Sequence, residues 1–374
     1  MNFNCDLKQL SDAVFNVSLA VSLKSTVSSL IPSLEGVLIK ANKNKVLLTG
    51  YNLEIGITKE IDAKTTTNGG VILNAKLFGD ILRKLPNEKV SISVDDKLLT
   101  TITSGGSEFT IIGINESEYP SMPAQNDGKS FKISQSLIKN MINQTLFAVS
   151  TNESTPIITG SLFEISNGIL KIVSVDGYRL AIRKEKINVK DDFSFIIPGR
   201  TLSDINKMLK EEIDEEIEIS VSNKHITFNI DGYVVLSRLI EGDFLDYKTA
   251  LSGESTTTVT VNTKTFSNTI DRASIIIADR IKSPIKCEIK ENKLNLSCVS
   301  EIGKVYETFD VNQNGENIII GFNNKYMSDA LKATECDEVL IKMNGPISPI
   351  KIEPMSGDSF LFLVLPVRLK ADNE

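Results

Sequence analysis

Residues able to do covalent or acid–base chemistry are few in this chain, and they are badly spaced for it. The single histidine, His225, follows Lys224 at an expected turn into a strand, with no second histidine or cysteine beside it, so it reads as a surface residue rather than a base or metal ligand. Ser136-Leu137-Ile138-Lys139 has the Ser-x-x-Lys spacing of penicillin-recognising acyl enzymes, but the accompanying Ser-Asp-Asn and Lys-Thr-Gly elements are missing. Ser136 is better placed near a helix N-cap, where serine is favoured. The acidic stretch Glu211, Glu212, Asp214, Glu215, Glu216 and Glu218 lacks the spaced ligands and glycine turn of a calcium loop. Cys5, Cys287, Cys298 and Cys336 form neither a close pair nor a zinc-like spacing, which suits a reducing cytoplasm. No glycine-rich phosphate loop or dinucleotide fingerprint occurs, so no cofactor or metal is implied, and an enzyme would need carboxylate or lysine chemistry that leaves no sequence signature.

The elements that must carry any function repeat. Phe3, Cys5, Leu10, Val14, Val17 and Val21 fall in register with Phe131, Ile133, Ile138, Ile142, Thr145 and Val149, and then with Val259, Val261, Phe266, Ile270, Ala273 and Ile277. Each copy alternates briefly and then changes to helical spacing, which predicts a strand running into an amphipathic helix. A second strand and helix recur too. Val71-Ile72-Leu73, Phe195-Ile196-Ile197 and Ile318-Ile319-Ile320 precede Phe78-Gly79-Asp80, Leu202-Ser203-Asp204 and Met327-Ser328-Asp329, and alternating strands follow.

Each unit is therefore expected to hold two helices and about eight strands. Strands flank the helices without a regular βαβ alternation, so the fold class is α+β with antiparallel sheets. The expected domains are 1–124, 129–249 and 250–374, divided near Pro120 to Lys129 and Thr249 to Thr258. A length of 374 residues suits three domains of ordinary size, and 41% apolar with 24% charged residues suits a globular chain. The longest apolar run, Phe360 to Val367, is too short to span a bilayer, so no membrane role is expected. A net charge of −7 argues against a coat of nucleic acid but cannot reveal a basic inner surface.

Five segments on this repeat carry a resemblance: Asn152-Glu153-Ser154, Asp176-Gly177-Tyr178-Arg179-Leu180-Ala181, Ile197-Pro198-Gly199-Arg200, Arg238 through Tyr247, and Leu365-Pro366-Val367-Arg368-Leu369. Together they resemble the bacterial sliding-clamp family, the β subunits of DNA polymerase III, from Met1 to about Leu369. The resemblance implies a head-to-tail homodimer whose six domains ring double-stranded DNA without sequence preference. It also implies a cleft that receives short linear peptides from the replicative polymerase, the clamp loader and repair proteins. A monomeric adaptor with the same cleft is the alternative.

Residue by residue, the resemblance places the cleft at Ile158, Val175, Gly177, Tyr178, Arg179, Leu180, Leu245, Thr249, Ala250, Leu363, Val364, Leu365, Pro366, Val367 and Arg368. Apolar walls would take leucine and phenylalanine anchors, and Arg179 could donate to a peptide carbonyl. It points to Phe109 and Ile111 meeting Ile275 and Ile276 at the dimer interface. A DNA-contacting loop maps to Asn152, next to Thr155, Pro156 and Ile157, where some relatives have basic and aromatic residues. Lys24 is a further DNA candidate. A clamp that slides should touch phosphates rather than base edges. Lys76 and Arg83, Arg200 and Lys207, and Lys325 and Lys332 recur on the second helices at spacings of seven, two turns apart on one face.

Overall fold

The computed structural model describes residues 1–21, 30–86, 88–124, 128–212, 214–277 and 283–369. Lys24 lies outside them. The chain packs as two units, one formed by Met1–Ser136 with Ser203–Leu239 and the other by Leu137–Leu202 with Ile240–Glu374. The division runs through the central third of the sequence. No helix among the described residues is long and apolar enough to cross a membrane.

Seven helices are described: α1 (Leu7–Val17), α2 (Ala75–Leu82), α3 (Gln135–Leu146), α4 (Gly199–Met208), α5 (Lys248–Leu251), α6 (Thr263–Ser274) and α7 (Asn324–Ala333). Four begin in the same way, with an Asp or Asn at the end of the preceding strand turning the chain. Asp6 accepts from Gln9 N at 2.8 Å, Asn74 from Leu77 N at 3.0 Å, Asn262 from Thr265 N at 2.9 Å and Asn323 from Tyr326 N at 3.2 Å. Each bond satisfies an amide that the helix itself leaves open. Behind the caps, residues at three- and four-residue spacing are buried, as Leu10, Ala13, Val14 and Val17 are in α1. The expected Thr249 to Thr258 linker is partly helical, since α5 opens it.

In the first unit, a five-stranded sheet runs Lys64–Thr67, Asn2–Asp6, Lys89–Val94, Leu99–Ser104, Ser107–Ile112. An eight-stranded sheet joins strands of the first and central thirds, because Tyr233–Arg238 pairs antiparallel with Ile55–Asp62 in the register Val235↔Ile57. The second unit repeats this device. Its nine-stranded sheet pairs Arg179–Lys186 with Phe360–Val364 in the register Ala181↔Phe362, and its four-stranded sheet ends at Gly303–Asp310.

One rule describes both joints. Ile55–Asp62 and Arg179–Lys186 are each the third strand of the sheet that follows the first helix of their copy, and each pairs with the last strand of the next copy. A backbone ladder of this kind tolerates any side chain that keeps the alternation, and so leaves no motif in sequence.

Candidate functional site

The expected cleft residues all fall within the second unit. Strand Ile169–Val175 ends in a turn that Asp176 organises, accepting from Tyr178 N at 2.9 Å and Arg179 N at 3.0 Å. Gly177 sits at φ +89°, a left-handed position that favours glycine, and nothing lies where a Cβ would go. Leu180 is paired opposite Leu363, and both are buried in an apolar cluster with Val173, Ile182 and Tyr247. Val175, Phe244 and Leu251 pack against that cluster, while Leu245 is 48% exposed beside it in sequence. Thr249 and Ala250 are exposed on α5.

The Leu365 to Leu369 segment is strapped down by its backbone. Leu365 N donates to Tyr178 O at 2.9 Å and Val367 N to Gly321 O at 2.8 Å. A Cβ on Gly321 would collide with Val367 O, so the close approach depends on glycine there. Leu365 is 40% exposed and so presents a side chain, and Pro366 and Val367 are half-buried. Val364 differs from the expectation. It is fully buried and belongs to the core cluster on the other sheet face, because successive strand residues point to opposite sides. Ile158 is also buried, at the short turn Pro156–Thr159, and Arg368 is exposed.

Arg179 is largely buried and makes two ion pairs within the protein. Its Nε donates to Asp176 Oδ2 at 2.9 Å and its Nη1 to Asp329 Oδ2 at 2.6 Å, with the side chain only 9% exposed. The guanidinium lies 4.7 Å from the Tyr326 ring centre and 5.4 Å from that of Phe147. Tyr178, 60% exposed, stacks on Tyr326 at 5.8 Å. A cation thus lies between two rings and two carboxylates, and Tyr178 stacks on one of those rings. Tyr326, Phe147 and Asp329 went unrecognised in sequence, although Asp329 stands in the recurring helix segment.

A second network ties Tyr247, just before α5, to the sheet. Tyr247 Oη donates to Glu164 Oε2 at 2.9 Å, and Lys171 Nζ reaches the same oxygen at 3.1 Å. Burial alone would raise the Glu164 carboxyl, but the bonds from Lys171 and Tyr247 and the charges of Lys171 and Lys248 outweigh it and hold it below its usual range. Burial, with the Glu164 bond next, pushes the Tyr247 hydroxyl well up.

The basic pairs on α2, α4 and α7 prove unequal. Lys76, Arg200 and Lys325 are exposed, with no ion pair among the described residues. Their partners two turns on are neutralised: Arg83 by Asp80, Lys207 by Asp204 at 2.7 Å and Lys332 by Asp271 at 3.5 Å. The aspartate of the repeated segment therefore clamps the basic residue in two copies, while its third representative, Asp329, is diverted to Arg179. Asn152 shapes a turn, accepting from Ser154 N at 3.0 Å. On the sheet edge, Phe109 is 40% exposed and Ile111 half-buried. Beyond α6, Ile275 is 77% exposed whereas Ile276 packs on its own core. Ile112 at 77% and Tyr306 at 67% exposure are further edge residues that sequence did not single out.

Family profiles of the DNA polymerase III beta subunit match in succession: the N-terminal domain over residues 1–123, the central domain over 132–246 and the C-terminal domain over 248–368. The chain belongs to the DNA polymerase III beta subunit family. It is 35% identical over 373 residues to the beta sliding clamp of Staphylococcus epidermidis, covering 97% of each chain, and 34% identical over 381 residues to that of Bacillus subtilis, covering 98% and 100%. The solved DNA polymerase sliding clamp from Bacillus subtilis superposes with a TM-score of 0.93 at 33% identity, covering 99% of this chain and all of that one. The DNA polymerase beta subunit of Streptococcus pyogenes does so with a TM-score of 0.91 at 29% identity, with the same coverage. Relatives of this family therefore share the three-part α+β architecture along the whole chain.

Proposed function

We propose that this chain is a DNA sliding clamp, a non-catalytic processivity subunit acting in the cytoplasm. Two copies close head to tail around double-stranded DNA, with domains 1–124, 129–249 and 250–374 from each. The observation that carries the ring is the joint rule. Third strands Ile55–Asp62 and Arg179–Lys186 are capped by the last strand of the following copy, which leaves the third strand Gly303–Asp310 and the last strand Ser107–Ile112 each with a free edge among the described residues. Those edges complement one another between chains, and a heterologous contact repeated twice closes.

The register transfers as well. Ile55 faces Ser237 and Arg179 faces Val364, so steps of 124 along the third strands and of 126 and 127 along the last strands put Gly303 opposite Ile111 of the partner subunit. Val305 then faces Phe109 of the partner subunit, with Ile275 beside the edge. Exposed Lys76, Arg200 and Lys325 supply loose, sequence-independent phosphate contacts, with Asn152 and Lys24 as further candidates. The cleft around Tyr178, Leu180, Leu245, Leu363 and Leu365 takes apolar anchors of short peptides from the polymerase, the clamp loader and repair proteins.

Sedimentation equilibrium and DNA retention test this reading. A dimer that stays on nicked circular duplex and leaves when the circle is cut linear is expected. A monomer that still binds client peptide would instead make the chain an adaptor.

A further inference from the structure

The turn at the mouth of the cleft has a double at the first joint, where Ile55–Asp62 pairs with Tyr233–Arg238. A step of 124 residues, which carries strand Ile55–Asp62 onto Arg179–Lys186, carries Asn52-Leu53-Glu54 onto Asp176-Gly177-Tyr178. Asn52 accepts from Glu54 N at 3.0 Å and Ile55 N at 2.8 Å, just as Asp176 accepts from Tyr178 N and Arg179 N. Beside this turn, Leu38, Tyr51, Ile72 and Tyr119 form a buried apolar cluster. The same step puts Leu38 and Tyr51 on Leu162 and Val175, which pack against the cluster of the cleft. Gly56 stands opposite Leu236 as Leu180 stands opposite Leu363. The residues of this double all belong to the first unit.

The two sites differ in what fills them. Leu53 holds φ +75°, a left-handed conformation that strains a leucine and that Gly177, at φ +89°, adopts freely. The Leu53 side chain is half-buried against its cluster, whereas nothing lies where a Cβ on Gly177 would go. Met122, in the segment after the last strand of the first copy, packs on the same cluster, and a Cβ on Gly56 would collide with its Sδ and Cε. Tyr119 ties that segment to the sheet, its Oη donating to Thr49 O at 3.2 Å. The rim is polar as well. Glu54 stands in the place of Tyr178, and a step of 127 puts Arg238 in the place of Leu365, both of them exposed.

We infer that the first joint holds a second peptide cleft of the same construction, kept occupied by the chain's own Leu53 and Met122, which stand where the apolar anchors of a peptide would lie. This rests on the cleft proposed above. A turn whose double runs on glycine has no steric need of a leucine, so the strain at Leu53 is offset only by the apolar surface that the side chain covers. Each chain therefore presents one open cleft, although its sheet joints are built for two.

Removing the occupants tests the inference. The wild type, Leu53→Gly, Met122→Ala and the double variant would be titrated by calorimetry with a short synthetic peptide carrying two leucines and a phenylalanine. A benzophenone-bearing copy of that peptide, photolysed on the protein and mapped by mass spectrometry, locates each bound molecule. The wild type should bind one peptide per chain, with adducts around Tyr178 and Leu365 alone. The double variant should bind two per chain, the second more weakly because its rim lacks those two side chains, with new adducts on Leu38, Tyr51 or Leu236. Glycine suits the turn, as Gly177 shows, so if the double variant does not fold, Leu53→Gly alone should give the first-joint adducts. Folded variants that keep one peptide per chain and give no first-joint adduct would overturn the occupied cleft and leave the open one standing, as would first-joint adducts on the wild type. A wild type that binds no peptide would overturn the cleft reading and this inference together.

Discussion

Arg179 shows how much a single residue's role depends on partners that sequence does not display. The resemblance marked it for the cleft, and the structure adds that two of its N–H donors are engaged by Asp176 and Asp329 and that its guanidinium lies beside Tyr326 and Phe147. A guanidinium 9% exposed cannot lose a carboxylate without cost, since a charged hydrogen bond contributes roughly 1.5–3 kcal/mol. Asp176 remains after Asp329→Ala, and Asp329 is itself 30% exposed, so a loss of about 2 kcal/mol is expected by urea melts. Peptide affinity, read by titration calorimetry, should fall too, because Tyr178 leans on Tyr326, whose ring Arg179 covers. Asp329→Asn keeps an acceptor oxygen and should lose less of both. Equal melts and equal affinities in the three proteins would contradict the buried cradle.

At the scale of elements, the strands and helices were legible because each follows one period: alternation for strands and three-to-four spacing for helices. What the sequence left hidden is which strand pairs with which, and which wall a network braces. The segment carrying Phe244, Leu245 and Tyr247 has few backbone bonds of its own and is held to the sheet through Glu164 and Lys171. Because the Glu164 carboxyl is depressed from its usual value of 4.5, its contribution to stability is complete above that value and is lost as pH falls through the lower folded value. Between pH 6 and about pH 3.5, the wild type should therefore lose more thermal stability than Glu164→Gln, whose side chain does not titrate. Parallel melting curves would show that the network does not brace the wall.

At the scale of the whole molecule, the repeat in the sequence already implied three similar parts, but not the ladder that fuses neighbouring copies nor the edges that stay open. The structure also separates two isoleucines that sequence treats as a pair. Ile276 packs on the core of its own domain, so a charge there would desolvate at the cost of the fold, and any loss of dimer would be ambiguous. Ile275 is 77% exposed and makes no comparable demand, so Ile275→Asp places a charge only where a second chain would cover it. The expected result is a folded monomer by sedimentation, with a far-ultraviolet spectrum and peptide affinity like those of the wild type, because the residues of the proposed cleft all belong to one unit of one chain. Retention on circular DNA should disappear even though Lys76, Arg200 and Lys325 are untouched, since a topological link fails when the ring does. An Ile275→Asp protein that stays dimeric would move the joint away from this edge.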